Sequence, residues 1–300
     1  MTENDLIELY SNIDDFYHRY IKTNEGKTAL TNYYGKRGPK RKLTVPEVMT
    51  LNIVKIMTKV MELKAFHALA KEFYKDYFPN LPNYENFMKA TNKSAPFIAA
   101  YCKACVEDNR NKNKETVFYI DSTPVPVCDI RFANSHKVMK GIASRGKSTK
   151  GWFYGFKLQG VCKKDGTLVS LMLRNGSEHD SQAFIDVTEG LEGTFVADAG
   201  YLLKKKDKIT MYSSGRVPFA APRRNMKQLV SYSQLKLLRN RNCIENVWHV
   251  MKRHYGLVHT IARSVDGMFS HFFYSIAGYL IHDYKKKHKS EPLLQQVIAA

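Results

Sequence analysis

The chain has 300 residues, enough to bury a sizeable core in one large domain or in two of ordinary size, and two are expected. Its 47 Lys and Arg against 28 Asp and Glu give a formal charge of +19, far from the balance of a typical metabolic enzyme, so a polyanionic partner is expected. No stretch approaches the ~18 consecutive apolar residues of a membrane span and no signal-peptide pattern opens the chain, which favours nucleic acid over a membrane surface and a cytoplasmic setting.

The first hundred or so residues read as helical. Leu6, Ile7, Tyr10, Ile13 and Phe16 or Tyr17 recur at helical spacing. The segment 35–42 then carries five cations, Lys40 and Arg41 among them, with two glycines and a proline. It cannot be a regular helix; it can lie along phosphates or serve as a solvated loop. Thr44-Val45-Pro46-Glu47 is a capping box with proline at an early helical position, so a helix is expected to carry Val48, Leu51, Ile53, Val54 and Met57. A second helix is expected over 65–77, and a third, capped through Asn83, carries Tyr84, Phe87 and Met88. Short helices joined by tight turns fit either a helix-turn-helix or a generic helical bundle. Cys102 and Cys105 form a C-x-x-C, but the flanking sequence is helical and no second pair completes a zinc site, so both are expected to pack. Five scattered cysteines fit a reducing compartment.

From residue 116 the texture changes, and a domain boundary is expected near 112. Residues 116–120 are a β-branched and aromatic strand ending at Asp121. The stretch 131–150 reads as a basic loop with His136, Lys137, Lys140, Arg145, Lys147 and Lys150, either a DNA clamp or a solvated connector. Strands are expected over 152–162 and 169–173, joined through Lys164-Asp165-Gly166, whose Asp-Gly step signals a hairpin. A helix over 181–189, with Asp180 as its cap, precedes a short buried strand, 194–197, that ends at Asp198. After a strand over 217–221 come Arg223 and Arg224, and then one long helix from about 232 to 255 containing Glu245. Phe269, Phe272, Phe273, Tyr274, Ile276 and Leu280 read as a core helix, and Lys285 to Lys287 as a solvated tail. The order is that of an α/β domain with helices on a mixed sheet.

Two acids at the carboxyl ends of buried strands stand where open α/β sheets place their sites. Hard divalent cations want oxygen ligands, and a pair of them can activate the attacking oxygen and stabilise the leaving one in phosphodiester chemistry. Asp121 and Asp198 would be two such ligands, and Glu245, brought in by a crossing helix, the third. Any one of these acids alone could be a turn former or cap; their joint placement in a strongly basic chain is what points to nucleic acid.

On these residues the sequence resembles the DDE transposases of bacterial insertion sequences. Ile120-Asp121-Ser122-Thr123-Pro124 is similar to the first-aspartate motif, Arg145-Gly146-Lys147-Ser148 with 151–157 to the segment after it, and Asp198-Ala199-Gly200-Tyr201 to the second. Arg241, Glu245 and Lys252 reproduce Arg-x3-Glu-x6-Lys, although Leu238 and Ala199 stand where the wider signature has Tyr and Lys. The resemblance implies a ribonuclease-H-like catalytic domain over 113–300 and an all-α DNA-binding domain over 1–112. It implies Asp121, Asp198 and Glu245 as ligands of two Mg2+ ions, with Mn2+ as a substitute, cleavage at element ends and strand transfer into target DNA by a homo-oligomer, a dimer. Lys40, Arg41, Lys137, Lys140, Arg145, Lys147, Arg223, Arg224, Arg241 and Lys252 would contact double-stranded DNA. A hydrolysis-only nuclease and a catalytically silent DNA-binding protein are the alternatives.

Overall fold

The computed structural model describes residues 2–35, 41–222, 226, 229–258 and 262–288. The chain divides into two compact units, Met1–Asp108 with Val250–Ala300, and Asn109–His249. The last helix therefore counts with the N-terminal helices rather than with the sheet, where the sequence reading had put it.

In the first unit, helices α1 (Glu3–Tyr20), α2 (Asn24–Tyr34), α3 (Val45–Met57), α4 (Leu63–Phe73), α5 (Tyr84–Lys93) and α6 (Ala95–Asn111) are joined by α11 (Val265–Lys287). The expected capping box is present: Thr44 Oγ1 accepts from Glu47 N while Glu47 Oε2 accepts from Thr44 N at 2.6 Å. From that start α3 is buried nearly all round, with Val48, Leu51, Ile53, Val54 and Ile56 at most 1% exposed and even Thr50, Asn52 and Lys55 buried. A helix without a wet face needs cover on every side. That need explains where α11 goes: Met268, Phe272, Ile276 and Leu280 are buried, and α11 packs on α3 and α5. In α1 the buried stripe is Leu6, Leu9, Asn12, Ile13 and Phe16, and Ile7 faces outward. Buried Asn12 is satisfied by the Tyr101 hydroxyl at 2.7 Å. Lys285 and Lys287 are not a solvated tail, because α11 runs on through them. Lys285 Nζ lies 2.5 Å from Asp5 Oδ1 and Lys287 Nζ 2.7 Å from Asp283 Oδ2. Cys102 and Cys105 lie free on α6, and burial pushes the Cys105 thiol up to about 12.

The second unit is built on one sheet. Its strands are β1 (Val117–Cys128), β2 (Ser144–Ser148), β3 (Gly151–Cys162), β4 (Leu168–Asn175), β5 (Gly193–Ala197) and β6 (Arg216–Ala220). Their order is β2-β3-β1-β5-β6, with β4 also pairing β3. The β1·β3, β2·β3 and β3·β4 pairs are antiparallel, and the β1·β5 and β5·β6 pairs parallel. Helices α7 (Asp180–Val187), α8 (Lys205–Ser213), α9 (Tyr232–Arg239) and α10 (Asn242–His254) flank it, so the unit is a mixed α/β sheet with helices, as expected. The core on one face gathers Phe118, Ile120, Val161, Phe184, Val187, Phe195 and Tyr201, and burying each such side chain contributes roughly 1.5–3 kcal/mol. The Asp-Gly hairpin forms as read, with Gly166 at φ 89° and Thr167 N donating to Asp165 Oδ1. Among the described residues no helix is long and apolar enough to cross a membrane.

Three expectations need correcting. β1 does not end at Asp121 but continues to Cys128, because β3 pairs it as far as Tyr154. The parallel partner β5 reaches only Tyr119 on the other side, which leaves room for Pro124 and Pro126. The expected basic loop contains strand β2, whose Ser-Arg-Gly-Lys-Ser offers no apolar residue to betray it; the two-residue turn Thr149-Lys150 sets its register, Ser148 opposite Gly151. The single long helix is two, α9 and α10, broken at Asn240-Arg241. The run 239–242 has no apolar residue to bury, and Asn240 closes α9.

Candidate active site

Strand alternation brings two of the three acids to one face. In the parallel pair Tyr119 stands beside Val196, so Asp121 and Asp198, each two residues further on, leave neighbouring strands on one face. On the antiparallel side Asp121 faces Gly160 and Tyr119 faces Cys162. Helix α10 covers that face: Cys162 Sγ is 3.7 Å from Cys243 Sγ, and a Cβ on Gly160 would come within 2.5 Å of Trp248 Cη2. Glu245 lies in the first turn of α10, between Cys243 and Trp248. Gly160 is what lets the indole sit against the strand, and so sets how closely the helix bearing Glu245 approaches.

The electrostatics agree with this placement. Burial pushes Asp121 up from 3.8 to about 7; the charges of Asp198 and Glu245 push the same way, while the Ser122 amide and the Arg241 guanidinium oppose them. Arg241 Nε is itself buried without a hydrogen-bond partner. Asp198 is fixed by its own turn, its Oδ1 accepting from Gly200 N at 2.7 Å. Asp198, Glu245 and Arg241 thus all stand near enough for their charges to act on Asp121. Among the described residues, however, no three His, Cys, Asp or Glu side chains stand close enough to hold one metal ion between them.

The opposite face carries a network that the sequence reading missed. Asp180 does not cap α7: the capping position is His179, which makes no side-chain cap bond. Asp180 Oδ1 instead accepts from Ser122 Oγ at 2.9 Å and Gln159 Nε2 at 2.8 Å, with Lys157 Nζ at 3.3 Å. Lys157 also donates to the Glu178 carbonyl, and Gln159 Oε1 accepts from the Tyr201 hydroxyl at 2.6 Å. The signal was a Lys and a Gln two apart in an otherwise apolar strand, which the two-residue period places on one inward row with Ser122.

Of the expected DNA contacts, Lys137, Lys140, Arg145 and Lys147 are exposed, Arg145 donating to Asn134 Oδ1 and Lys147 lying over the Trp152 ring at 5.8 Å. Arg41 folds back, donating to the Tyr33 carbonyl with its guanidinium 4.7 Å from that ring's centre. Lys252 follows Glu245 by two turns of α10 and is half-buried; exposed His249 lies one turn on. Lys40, Arg223 and Arg224 fall outside the described residues. A family model described as a transposase DDE domain matches residues 111–265, just over half of the chain. No curated protein and no solved structure matches it.

Proposed function

The chain belongs to the DDE transposases, and on that premise we propose that it cuts double-stranded DNA at the ends of a mobile element and joins the freed 3′-hydroxyls to target DNA. The observation that carries this reading is the common face of Asp121 and Asp198, with Glu245 in the first turn of the helix that covers it and near enough for its charge to act on Asp121, whose carboxyl is pushed up to about 7. The donor set fits a hard divalent cation, since all three groups offer carboxylate oxygens and one of them is poorly solvated for a charge. Asp121, Asp198 and Glu245 would hold Mg2+, or Mn2+ in its place, and binding would have to draw the three carboxylates closer than they stand. Such ions, when bound, supply Lewis-acid activation of the attacking and leaving oxygens.

The chain's own residues do the rest. Arg241 beside Asp121 offers a charged donor to a phosphate next to the scissile bond, and Lys252 offers another further along α10. The exposed cations of β2 and of the segment before it, Lys137, Lys140, Arg145 and Lys147, would follow the backbone of the duplex. The sheet unit fits a ribonuclease-H-like domain, the helical unit would bind the element's terminal repeats, and two copies would hold the two ends.

The test is cleavage of a duplex carrying the DNA that borders the coding sequence, with Mg2+, by wild type and by Asp121→Asn. Wild type should nick and join where the variant does neither. Cutting without joined product would leave a nuclease, and equal binding with no cutting under any divalent ion would leave a DNA-binding protein.

A further inference from the structure

Three donors converge on a single oxygen of Asp180, and they come from the two central strands of the sheet. Ser122 is the residue after Asp121 on β1; Gln159 is its cross-strand partner on β3, and Lys157 stands two residues along on the same face. Gln159 is 1% exposed, and its amide oxygen takes the hydroxyl of Tyr201, three residues after Asp198. The other oxygen of Asp180 borders the same turn: a Cβ on Gly200 would lie 3.8 Å from Asp180 Oδ2 and 3.0 Å from Asp198 Oδ1. One carboxylate thus ties the backbone next to the first acid to the turn that carries the second. Alternation puts Ser122 on the face opposite Asp121, so Asp180 reaches Asp121 only through the strand.

We propose that Asp180 is a positioning residue for the transposase reaction, fixing Asp121 and Asp198 relative to one another through Ser122, Gln159 and Tyr201. The argument rests on the catalytic reading above. A ligand pair held on one strand and just past the end of its neighbour needs its backbones locked to a fraction of an ångström, and hydrogen bonds behind the strands supply that without entering the site. Lys157, with its side chain 11% exposed, makes the arrangement asymmetric: Asn at 180 keeps an acceptor for Ser122 and Gln159 but offers no charge to the ammonium.

The test compares wild type, Asp180→Ala and Asp180→Asn in single-turnover cleavage at saturating duplex, in DNA affinity, in thermal melting and in Mn2+ affinity read by electron paramagnetic resonance of the free ion. Asp180→Ala should cut about a hundredfold more slowly and bind Mn2+ about tenfold more weakly, with DNA affinity within about twofold of wild type, and Asp180→Asn should recover about tenfold of the rate. Cleavage by Asp180→Ala at the wild-type rate overturns the proposal, as does a slow rate that Asn fails to improve while Mn2+ affinity stays unchanged. If Asp180→Ala does not melt cooperatively, Ser122→Ala decides: a rate about tenfold down with the melt preserved supports the link, and an unchanged rate overturns it. Wild type that neither binds Mn2+ nor cuts would remove the catalytic reading itself and this inference with it, whereas wild type and Asp180→Ala cutting alike would remove the inference alone.

Discussion

Replacing Asp121 by Asn should stabilise the metal-free protein, and only above mildly acidic pH. In the fold Asp121 binds its proton up to a pH of about 7, against 3.8 for the free side chain, chiefly because burial penalises its charge. The folded state therefore holds more protons than the unfolded chain between those two values, and the wild type loses stability as pH rises through that window. At ~1.4 kcal/mol per tenfold change in proton affinity the gap comes to about 4 kcal/mol; relaxation around a half-buried group makes that a ceiling, and about 2–4 kcal/mol is expected. Asn has the same shape and no charge to lose. Urea unfolding with EDTA should find the two proteins within ~0.5 kcal/mol near pH 4 and Asp121→Asn the more stable by about 2–4 kcal/mol at pH 8. Adding Mg2+ at pH 8 should then raise the wild type and leave the variant nearly unmoved. A stability difference that does not change with pH, or a wild type more stable at pH 8 without metal, would refute the electrostatic account of the site.

Gly160→Ala places a methyl 2.5 Å from Trp248 Cη2 and should cost ~1–3 kcal/mol in urea unfolding. In a Trp152→Phe background, where the exposed indole no longer contributes, the fluorescence of Trp248 should shift to the red and cleavage should fall as Glu245 moves; an unchanged spectrum contradicts the packing. Thr44→Ala removes the cap of α3 and should lower stability by ~1 kcal/mol, with no change in urea dependence. Arg145→Ala and Lys147→Ala should each reduce the slope of log affinity against log salt by ~1 on any duplex, and an unaltered slope would take that residue off the DNA path.

What could be read from the sequence was whatever rests on local periodicity. The capping box at Thr44, the hairpin at Asp165-Gly166 and the short apolar strand before Asp198 each carry their cause within a few residues, and each stands as read. What could not be read depends on partners remote in the chain. Strand β2 has no apolar side chain and exists because β3 pairs with it. Asp180 looks like a helix cap from its neighbours alone, and only the register of β1 on β3 reveals that Ser122 and Gln159 stand opposite it. The acids themselves could be named from their motifs, but the route by which Asp121 and Asp198 share a face needs the parallel pairing of β1 with β5.

The return of α11 to the N-terminal helices has a consequence for biogenesis. Emerging from the ribosome, α3 is complete once residue 57 has been made, yet its outer surface stays uncovered until the stretch from Val265 arrives. The sheet unit, continuous in the chain, can close first. Maturation would thus proceed from the middle outwards, and any nascent fragment halted before residue 265 would carry a greasy, unsatisfied rod open to chaperones and proteases.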